Sequence, residues 1–240
     1  MASSPRRSSS SASSARSQAR ASVIVFPGSN CERDAAVALE RLWQRPVQRV
    51  WHGARRLPPS ALIVLPGGFS FGDYLRPAAL AAASPILREV VAAARRGTPV
   101  LGICNGFQVL CETGLLPGAL LRNRSTRFVS RLVRLSVERA RPPFTQFYRD
   151  GEEIALPVAH KDGQYFADAP TLARLEGEGQ IIMRYAPDDN PNGAAHHIAA
   201  LSSRDGRILG MMPHPERRAE AALGGEDGAR LFLSLRDALA

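Results

Sequence analysis

One stretch near the middle of the chain constrains the fold most. Its apolar run Val100–Ile103 has strand propensity and stops at Cys104, and helical periodicity starts at Asn105. Gly102 and Gly106 lie two residues to either side of the cysteine, where a side chain would obstruct a tight turn and the close approach of other backbone. The stretch therefore predicts a strand, a sharp turn and a helix, the geometry of a nucleophile elbow with cysteine in place of serine.

The position of Cys104 allows two interpretations. A thiol at this corner meets a helix N-terminus, whose free N–H groups and positive dipole end favour the reactive thiolate. The alternative is a buried core cysteine, which is the commonest fate of a free thiol. The stretch by itself does not decide between them.

Strands and helices alternate along the chain before this elbow. Strands are predicted at 23–26, 47–51 and 61–65, and helices at 32–44 and at 78–96, the latter with a jog at Pro85. Beyond the elbow, short strands at 128–137, 154–158, 181–186, 198–202 and 208–212 precede a closing helix at 226–239. We therefore expect a flavodoxin-like α/β fold: an open, mostly parallel sheet with helices on both faces and an antiparallel extension.

The length and composition fit one domain behind a short polar tail. A chain of 240 residues with 45% hydrophobic content can bury a single α/β core, which we assign to residues 22–240. Residues 1–21 are rich in Ser, Ala and Arg and contain no large apolar residue after Met1, so the tail is predicted to be disordered. An organellar transit peptide is the alternative, but the tail lacks the apolar residues of an amphipathic helix.

Charge and cysteine content exclude several classes of protein. Of the net charge of +9, +4 falls in the first 20 residues, and the remaining +5 is scattered, unlike the basic and aromatic patch of a nucleic-acid-binding surface. No apolar run is long enough to span a membrane. The three cysteines fit no even pairing and no zinc-binding spacing, so we expect no metal site and a reducing, cytoplasmic location.

A glycine-rich turn follows the third predicted strand, at the sheet edge where open α/β folds bind their ligands. Gly67 and Gly72 have the outer spacing of a phosphate-binding P-loop, but Asp73 and Tyr74 stand where that motif requires lysine and serine or threonine. A nucleotide site is therefore rejected. The successive glycines Gly67 and Gly68 can instead expose a backbone N–H toward a developing oxyanion, and a plain turn is the alternative.

One histidine of the five has a carboxylate suited to orient it. His214 and Glu216 are two residues apart after an apolar strand, and the prolines beside His214 keep this segment extended, so both side chains can project the same way. His52, His160 and the pair at 196–197 fit loop or surface positions. A cysteine nucleophile needs such an oriented base.

The motifs together resemble a known family. Gly-Ile-Cys-Asn-Gly-Phe-Gln at 102–108 and Pro-His-Pro-Glu at 213–216 are similar to the Cys-His-Glu pattern of class I triad glutamine amidotransferases. Residues 27–31, 66–74, Arg76 and 211–217 narrow the resemblance to the glutaminase subunits of phosphoribosylformylglycinamidine synthases, over roughly residues 23–239. Two departures, Pro77 and the turn at 194–197, concern loop surfaces rather than the triad.

The resemblance implies a role for each site residue. Cys104 would attack the side-chain amide of L-glutamine, and the N–H groups of Gly68 and Asn105 would bind the oxyanion. His214 would carry the proton, oriented by Glu216. Gln108 would contact the amino-acid end of the substrate.

The resemblance also implies partners. Ammonia would pass to a large ATP-dependent synthase subunit, which would hold ATP and magnesium, while this chain would bind no cofactor. We also expect a small accessory subunit, and we expect residues 28–30 and 69–76 to face the synthase.

Two rival functions remain. One is a cysteine hydrolase or peptidase of the same superfamily, which the late Pro-His-Pro-Glu motif disfavours. The other is a non-catalytic scaffold subunit, which would not need the complete set of Cys104, His214 and Glu216.

Overall fold

The computed structural model describes residues 20–74, 76 and 78–240. The strands are β1 (Ala21–Val25), β2 (Val47–Trp51), β3 (Leu62–Leu65), β4 (Val100–Ile103), β5 (Ala119–Leu121), β6 (Val129–Val137), β7 (Glu153–His160), β8 (Gln164–Phe166), β9 (Ile181–Tyr185), β10 (Ile198–Ser202) and β11 (Ile208–Met211). The helices are α1 (Glu32–Ala38), α2 (Ala79–Ala82), α3 (Pro85–Arg95), α4 (Asn105–Glu112), α5 (Ala169–Gly177) and α6 (Ala229–Ala238). Among the described residues, no helix is long and apolar enough to cross a membrane.

Nine of these strands form one sheet in the order β2-β1-β3-β4-β11-β10-β9-β6-β7. The first five run parallel to one another. The strands beyond β11 are each antiparallel to their neighbours. Strand order 2-1-3-4-5 is that of flavodoxin-like folds, and the added strands are the antiparallel extension. The predicted fold is therefore confirmed.

The central strands are apolar because both faces of the sheet are covered. Every residue of β3, β4 and β11 is buried. Helix α4 packs against β3, β4 and β11. The predicted jog at Pro85 is confirmed: α2 ends at Ala82 and α3 restarts with Pro85 at its first position, where the missing N–H is tolerated.

The start of β1 differs from the prediction. The strand begins at Ala21, within the stretch assigned to the tail, and this residue is fully buried between Val47 of β2 and Leu62 of β3. Pairing on both sides thus extends the strand beyond its most apolar part. Residues 1–19, for which disorder was predicted, lie outside the described residues, and so does Pro77. The division into tail and single domain otherwise stays a prediction.

Three short elements were not predicted. Strands β5 and β8 have three residues each and form a separate two-stranded sheet, too short for their periodicity to be recognised. Helix α5 buries only Leu175, so it lacks an apolar stripe, and it starts with Asp168 accepting a hydrogen bond from the Thr171 N–H. Helix α6 begins at Ala229, after Gly228, rather than at residue 226.

Candidate active site

The candidate residues follow three neighbouring parallel strands. The Gly67–Gly68 turn follows β3, Cys104 follows β4, and His214 comes three residues after β11. Because β3, β4 and β11 are adjacent and parallel, their carboxyl ends lie at one edge of the sheet. This edge is the usual ligand-binding position of open α/β sheets.

Cys104 forms the corner between β4 and α4. Its backbone has φ 50° and ψ −104°, a strained conformation for a residue with a side chain. Its N–H donates to the Met211 carbonyl at 2.7 Å, and its own carbonyl accepts from the N–H groups of Phe107 and Gln108. These bonds hold the strained corner in place. The predicted strand, turn and helix are confirmed.

The two glycines around the corner leave no room for a side chain. A Cβ on Gly106 would lie 1.9 Å from the carbonyl oxygen of Leu65, and a Cβ on Gly102 would lie 2.7 Å from the carbonyl oxygen of Gly106. The first turn of α4 thus rests directly on the backbone of β3. This contact sets the position of Cys104 relative to the Gly67–Gly68 turn, which follows β3.

His214 and Glu216 form a buried pair. The His214 Nδ1 atom lies 2.6 Å from Glu216 Oε1, and the two side chains are 1% and 0% exposed. Burial disfavours a charged imidazole, but the Glu216 carboxylate and the Cys104 thiol outweigh this effect and hold the pKa of His214 well above its usual value. Nε2 of His214 is buried and hydrogen-bonds to no described residue. The imidazole can therefore exchange a proton through this nitrogen.

The Gly67–Gly68 turn lies against both reactive groups. A Cβ on Gly67 would lie 2.6 Å from His214 Cε1 and 3.4 Å from Cys104 Cβ. Gly68 has φ +132°, a conformation that favours glycine. Asn105 is the first residue of α4, so its N–H has no acceptor within the helix. The structure thus places the Gly67–Gly68 turn against Cys104 and His214, and the oxyanion-binding roles of Gly68 and Asn105 stay a prediction.

Gln108 lies one helical turn beyond Cys104 and is buried. Its Oε1 atom accepts from Asn105 Nδ2 at 2.7 Å, and its Nε2 atom donates to the carbonyl of Asp162. Both ends of this carboxamide are therefore engaged inside the chain. Its contact with a substrate stays a prediction.

Comparison of this chain with known proteins shows which family it belongs to. The model of the CobB/CobQ-like glutamine amidotransferase domain matches residues 18–223. The chain belongs to this family. Its relative in Novosphingobium aromaticivorans, phosphoribosylformylglycinamidine synthase subunit PurQ, is 58% identical over 214 residues, which span 89% of this chain and 94% of the relative.

Further relatives agree in sequence and in structure. The subunit of the same name from Rubrobacter xylanophilus is 53% identical over 216 residues, spanning 90% of this chain and 97% of that protein. A chain in the structure of PurLQS from Thermotoga maritima matches with a TM-score of 0.83 at 44% identity, covering 93% of this chain and 100% of its own. This chain is therefore a glutamine amidotransferase.

His160 is the main site residue that sequence reasoning missed. The interpretation of His160 as a loop or surface residue is wrong, since it ends β7 and is 3% exposed. Burial and the positive charge of His214 lower the pKa of His160 to about 4, which keeps it neutral. The signal was present: Ile154, Leu156, Val158 and His160 alternate on the buried side of the strand.

The two other cysteines differ in their distance from the site. Arg217 donates to the Cys31 Sγ atom at 2.9 Å, and ligand atoms of Cys31, His214 and Glu216 lie within 4.8 Å of one another. Such a set could hold a metal, and in this structure the imidazole and the carboxylate hydrogen-bond to each other. That no metal binds stays a prediction. Burial raises the pKa of the Cys111 thiol, as expected for a packing residue.

Proposed function

We infer that this chain is the glutaminase subunit of phosphoribosylformylglycinamidine synthase. It hydrolyses L-glutamine, and the ammonia converts formylglycinamide ribonucleotide to formylglycinamidine ribonucleotide in de novo purine biosynthesis. The convergence of Cys104, His214 and Glu216 at one sheet edge carries this function, in a chain 58% identical to a subunit of that synthase along 94% of the relative's length.

Cys104 is the proposed nucleophile. Its sulfur lies beside the N-terminus of α4 and, as a thiolate, attacks the side-chain amide carbon of glutamine. The N–H groups of Gly68 and Asn105 donate to the oxyanion that forms at the amide oxygen. Collapse of this intermediate breaks the C–N bond, releases ammonia and leaves a γ-glutamyl thioester on the sulfur. Gln108, in the same helix as Asn105, is assigned to the amino-acid end of the substrate, a role in which its carboxamide exchanges a hydrogen bond to Asn105 or Asp162 for one to the substrate.

His214 moves the proton in both half-reactions. As an imidazolium it protonates the leaving nitrogen, and as a neutral base it then takes a proton from the water that attacks the thioester. Glu216 holds the Nδ1–H of His214 and stabilises the positive charge. The raised pKa of His214 supports this assignment, because the charged acid is then present at neutral pH.

Glu216→Gln should reduce glutamine hydrolysis by about 10²- to 10⁴-fold, because the amide supplies no charge to stabilise the imidazolium. The carboxylate raises the pKa of His214, so its loss lowers that pKa, and the imidazolium disappears at a lower pH. We therefore expect the alkaline limb of the pH profile of kcat/KM to move to lower pH. Glutamate release measured across pH checks both effects.

Glu220→Gln is the matched control for this prediction. Glu220 lies four residues further on and pairs with Arg41 at the surface. Its neutralisation should leave the pH profile unchanged. An unshifted alkaline limb in Glu216→Gln would show that this carboxylate does not set the protonation of His214.

Ammonia must reach its acceptor without entering bulk water, where it would be protonated and lose its lone pair. We therefore assign the acceptor chemistry to an ATP-dependent large synthase subunit, with a small accessory subunit completing the assembly. The sequence of this chain has no nucleotide-binding motif, so ATP and magnesium belong to the synthase. Three free cysteines support a reducing, cytoplasmic location.

The loop at residues 69–76 is the proposed docking face for the synthase. Phe69, Tyr74 and Phe128 are exposed aromatic residues, and the rings of Phe69 and Phe128 lie 6.1 Å apart. Exposed apolar patches of this kind are typical of interfaces. Arg76 joins the loop to helix α4, which follows Cys104, since its guanidinium donates to both carboxylate oxygens of Glu112 at 2.7 and 2.6 Å.

Arg76→Glu should weaken assembly with the synthase subunit by at least about tenfold, because it places a like charge beside Glu112 and releases the loop. Titration of the synthase with the labelled chain measures the affinity, and glutamine-dependent synthesis provides a second readout. Arg204→Glu is the control, since Arg204 is an equally exposed arginine paired with Glu178 at the turn before β11, on the opposite sheet edge. Equal affinities for the two variants would exclude the loop as the docking face.

The proposed function is tested by assaying the purified chain with and without the synthase subunit. We expect release of glutamate from glutamine, coupled in the presence of the synthase, ATP and formylglycinamide ribonucleotide to formation of the amidine. Cleavage of peptides without glutamine hydrolysis would favour the peptidase alternative. Support of ammonia-dependent synthesis with no glutaminase activity under any condition would favour the scaffold alternative.

A further inference from the structure

One segment, residues 157–163, contacts the candidate site at three points through its backbone. The carbonyl of Pro157 accepts from the N–H of His214 at 2.8 Å. The carbonyl of Ala159 accepts from the thiol of Cys104 at 3.8 Å. The carbonyl of Asp162 accepts from Gln108 Nε2. A shift of this segment would therefore move His214, Cys104 and Gln108 together.

This segment lies at the border of the sheet and continues past it. β7 is the last strand in the sheet order, with β6 as its only neighbour there, and β6 pairs with it no further than His160. From residue 161 onward, the hydrogen bonds of the β6–β7 pairing no longer fix the backbone. Other groups must fix the turn that carries the Asp162 carbonyl.

Asn123 supplies those groups. Its Nδ2 atom donates to the carbonyl of His160 at 3.0 Å, and its Oδ1 atom accepts from the Gly163 N–H at 3.0 Å. Its own N–H donates to the carbonyl of Lys161 at 2.8 Å. The side chain is 1% exposed. Only a carboxamide offers both donors and an acceptor at this size, so the turn depends on this residue type.

The carboxamide oxygen of Asn123 also determines which nitrogen of the His160 ring carries the proton. It accepts from His160 Nδ1 at 3.1 Å, and Nε2 of His160 faces the Nδ2 atom of Asn192 at 3.5 Å. An oxygen on one side and an N–H donor on the other leave one proton on the ring, at Nδ1. A neutral His160 adds no second positive charge beside His214.

We propose that Asn123 is a positioning residue for glutamine hydrolysis. It acts through the turn at 160–163, which it ties down so that the carbonyls of the 157–163 segment hold His214, Cys104 and Gln108 in mutual register. The described hydrogen bonds of Asn123 go to Arg127, His160, Lys161 and Gly163 and not to Cys104, His214 or Gln108. This inference rests on the proposed glutaminase function, because the residues it positions are those assigned to that reaction.

The test compares Asn123→Ala with Gln180→Ala. Gln180 is also a buried amide that donates to a backbone carbonyl, that of Ser202 at 2.8 Å, but it lies before β9 and contacts none of the site residues named above. We expect the kcat of glutamate release to fall by about 10²-fold in Asn123→Ala, the effect of a displaced reacting group, and to stay at the wild-type value in Gln180→Ala. The alkylation rate of Cys104 by iodoacetamide, read by mass spectrometry of its peptide, should fall in Asn123→Ala alone.

Thermal unfolding of both variants separates positioning from simple loss of structure. Equal losses of kcat and of alkylation rate in the two variants, in step with their unfolding temperatures, would overturn the proposal. If Asn123→Ala does not fold, Asn123→Asp applies the same test, because it fills the same volume, keeps the acceptor oxygen and loses the donor to His160. Wild-type kcat in a folded Asn123→Asp variant would overturn it. A wild-type chain that is inactive both alone and with the synthase subunit would instead count against the glutaminase function itself.

Discussion

Cys104→Ala is expected to abolish glutamine-dependent synthesis while leaving ammonia-dependent synthesis intact. Without the thiol no γ-glutamyl thioester can form, and loss of a nucleophile typically costs on the order of 10⁴- to 10⁶-fold in kcat. The amination step requires only ammonia and the synthase, so added ammonium salt should restore product formation. The measurement is amidine formation by the assembled complex, with either glutamine or an ammonium salt as nitrogen donor.

Cys111→Ala is the control for this substitution. Cys111 lies seven residues later, in helix α4, which follows Cys104, and its thiol lies 3.8 Å from the carbonyl of Pro117. We expect its glutaminase activity to match the wild type. Glutamate release by Cys104→Ala would reject the proposed mechanism, and loss of the ammonia-dependent reaction would indicate that the substitution disrupts assembly.

Gly106→Ala is expected to destabilise the folded chain by about 3 kcal/mol or more. The new Cβ would lie 1.9 Å from the carbonyl oxygen of Leu65 and 2.6 Å from its carbonyl carbon. Both are backbone atoms of β3 and cannot rotate away, so α4 must separate from the sheet. Equilibrium denaturation, or the soluble yield if the variant does not fold, measures the effect.

Gly177→Ala makes the same chemical change without the clash. Gly177 is the last residue of α5, and nothing lies within 4 Å of a Cβ built on it. Its stability should equal or slightly exceed the wild type, because alanine favours the helix more than glycine does. Equal stability of Gly106→Ala and wild type would mean that the elbow helix does not rest on β3 as described.

Local patterns were enough to place the central strands and the elbow. The continuous apolar runs at Leu62–Leu65 and Val100–Ile103 predicted buried strands, and Gly102 and Gly106 marked a crowded turn around Cys104. The pair His214 and Glu216 was equally accessible because the two residues are neighbours along the chain, although Glu216 lies in a 3-10 helix, Pro215–Arg218, and not in the extended segment that the prolines predicted. Each of these inferences depends on neighbours along the chain.

The sequence by itself determined the fold class, the positions of the central strands, the elbow and the identity of the histidine with its own carboxylate. Only the tertiary structure decided that His160 is a buried neutral neighbour of His214, and that Asn123 ties down the turn after β7. Asn123 and His160 are 37 residues apart. No periodicity links such positions, since their contact depends on how β6 and β7 fold back on each other, and burial then sets the charge of the histidine.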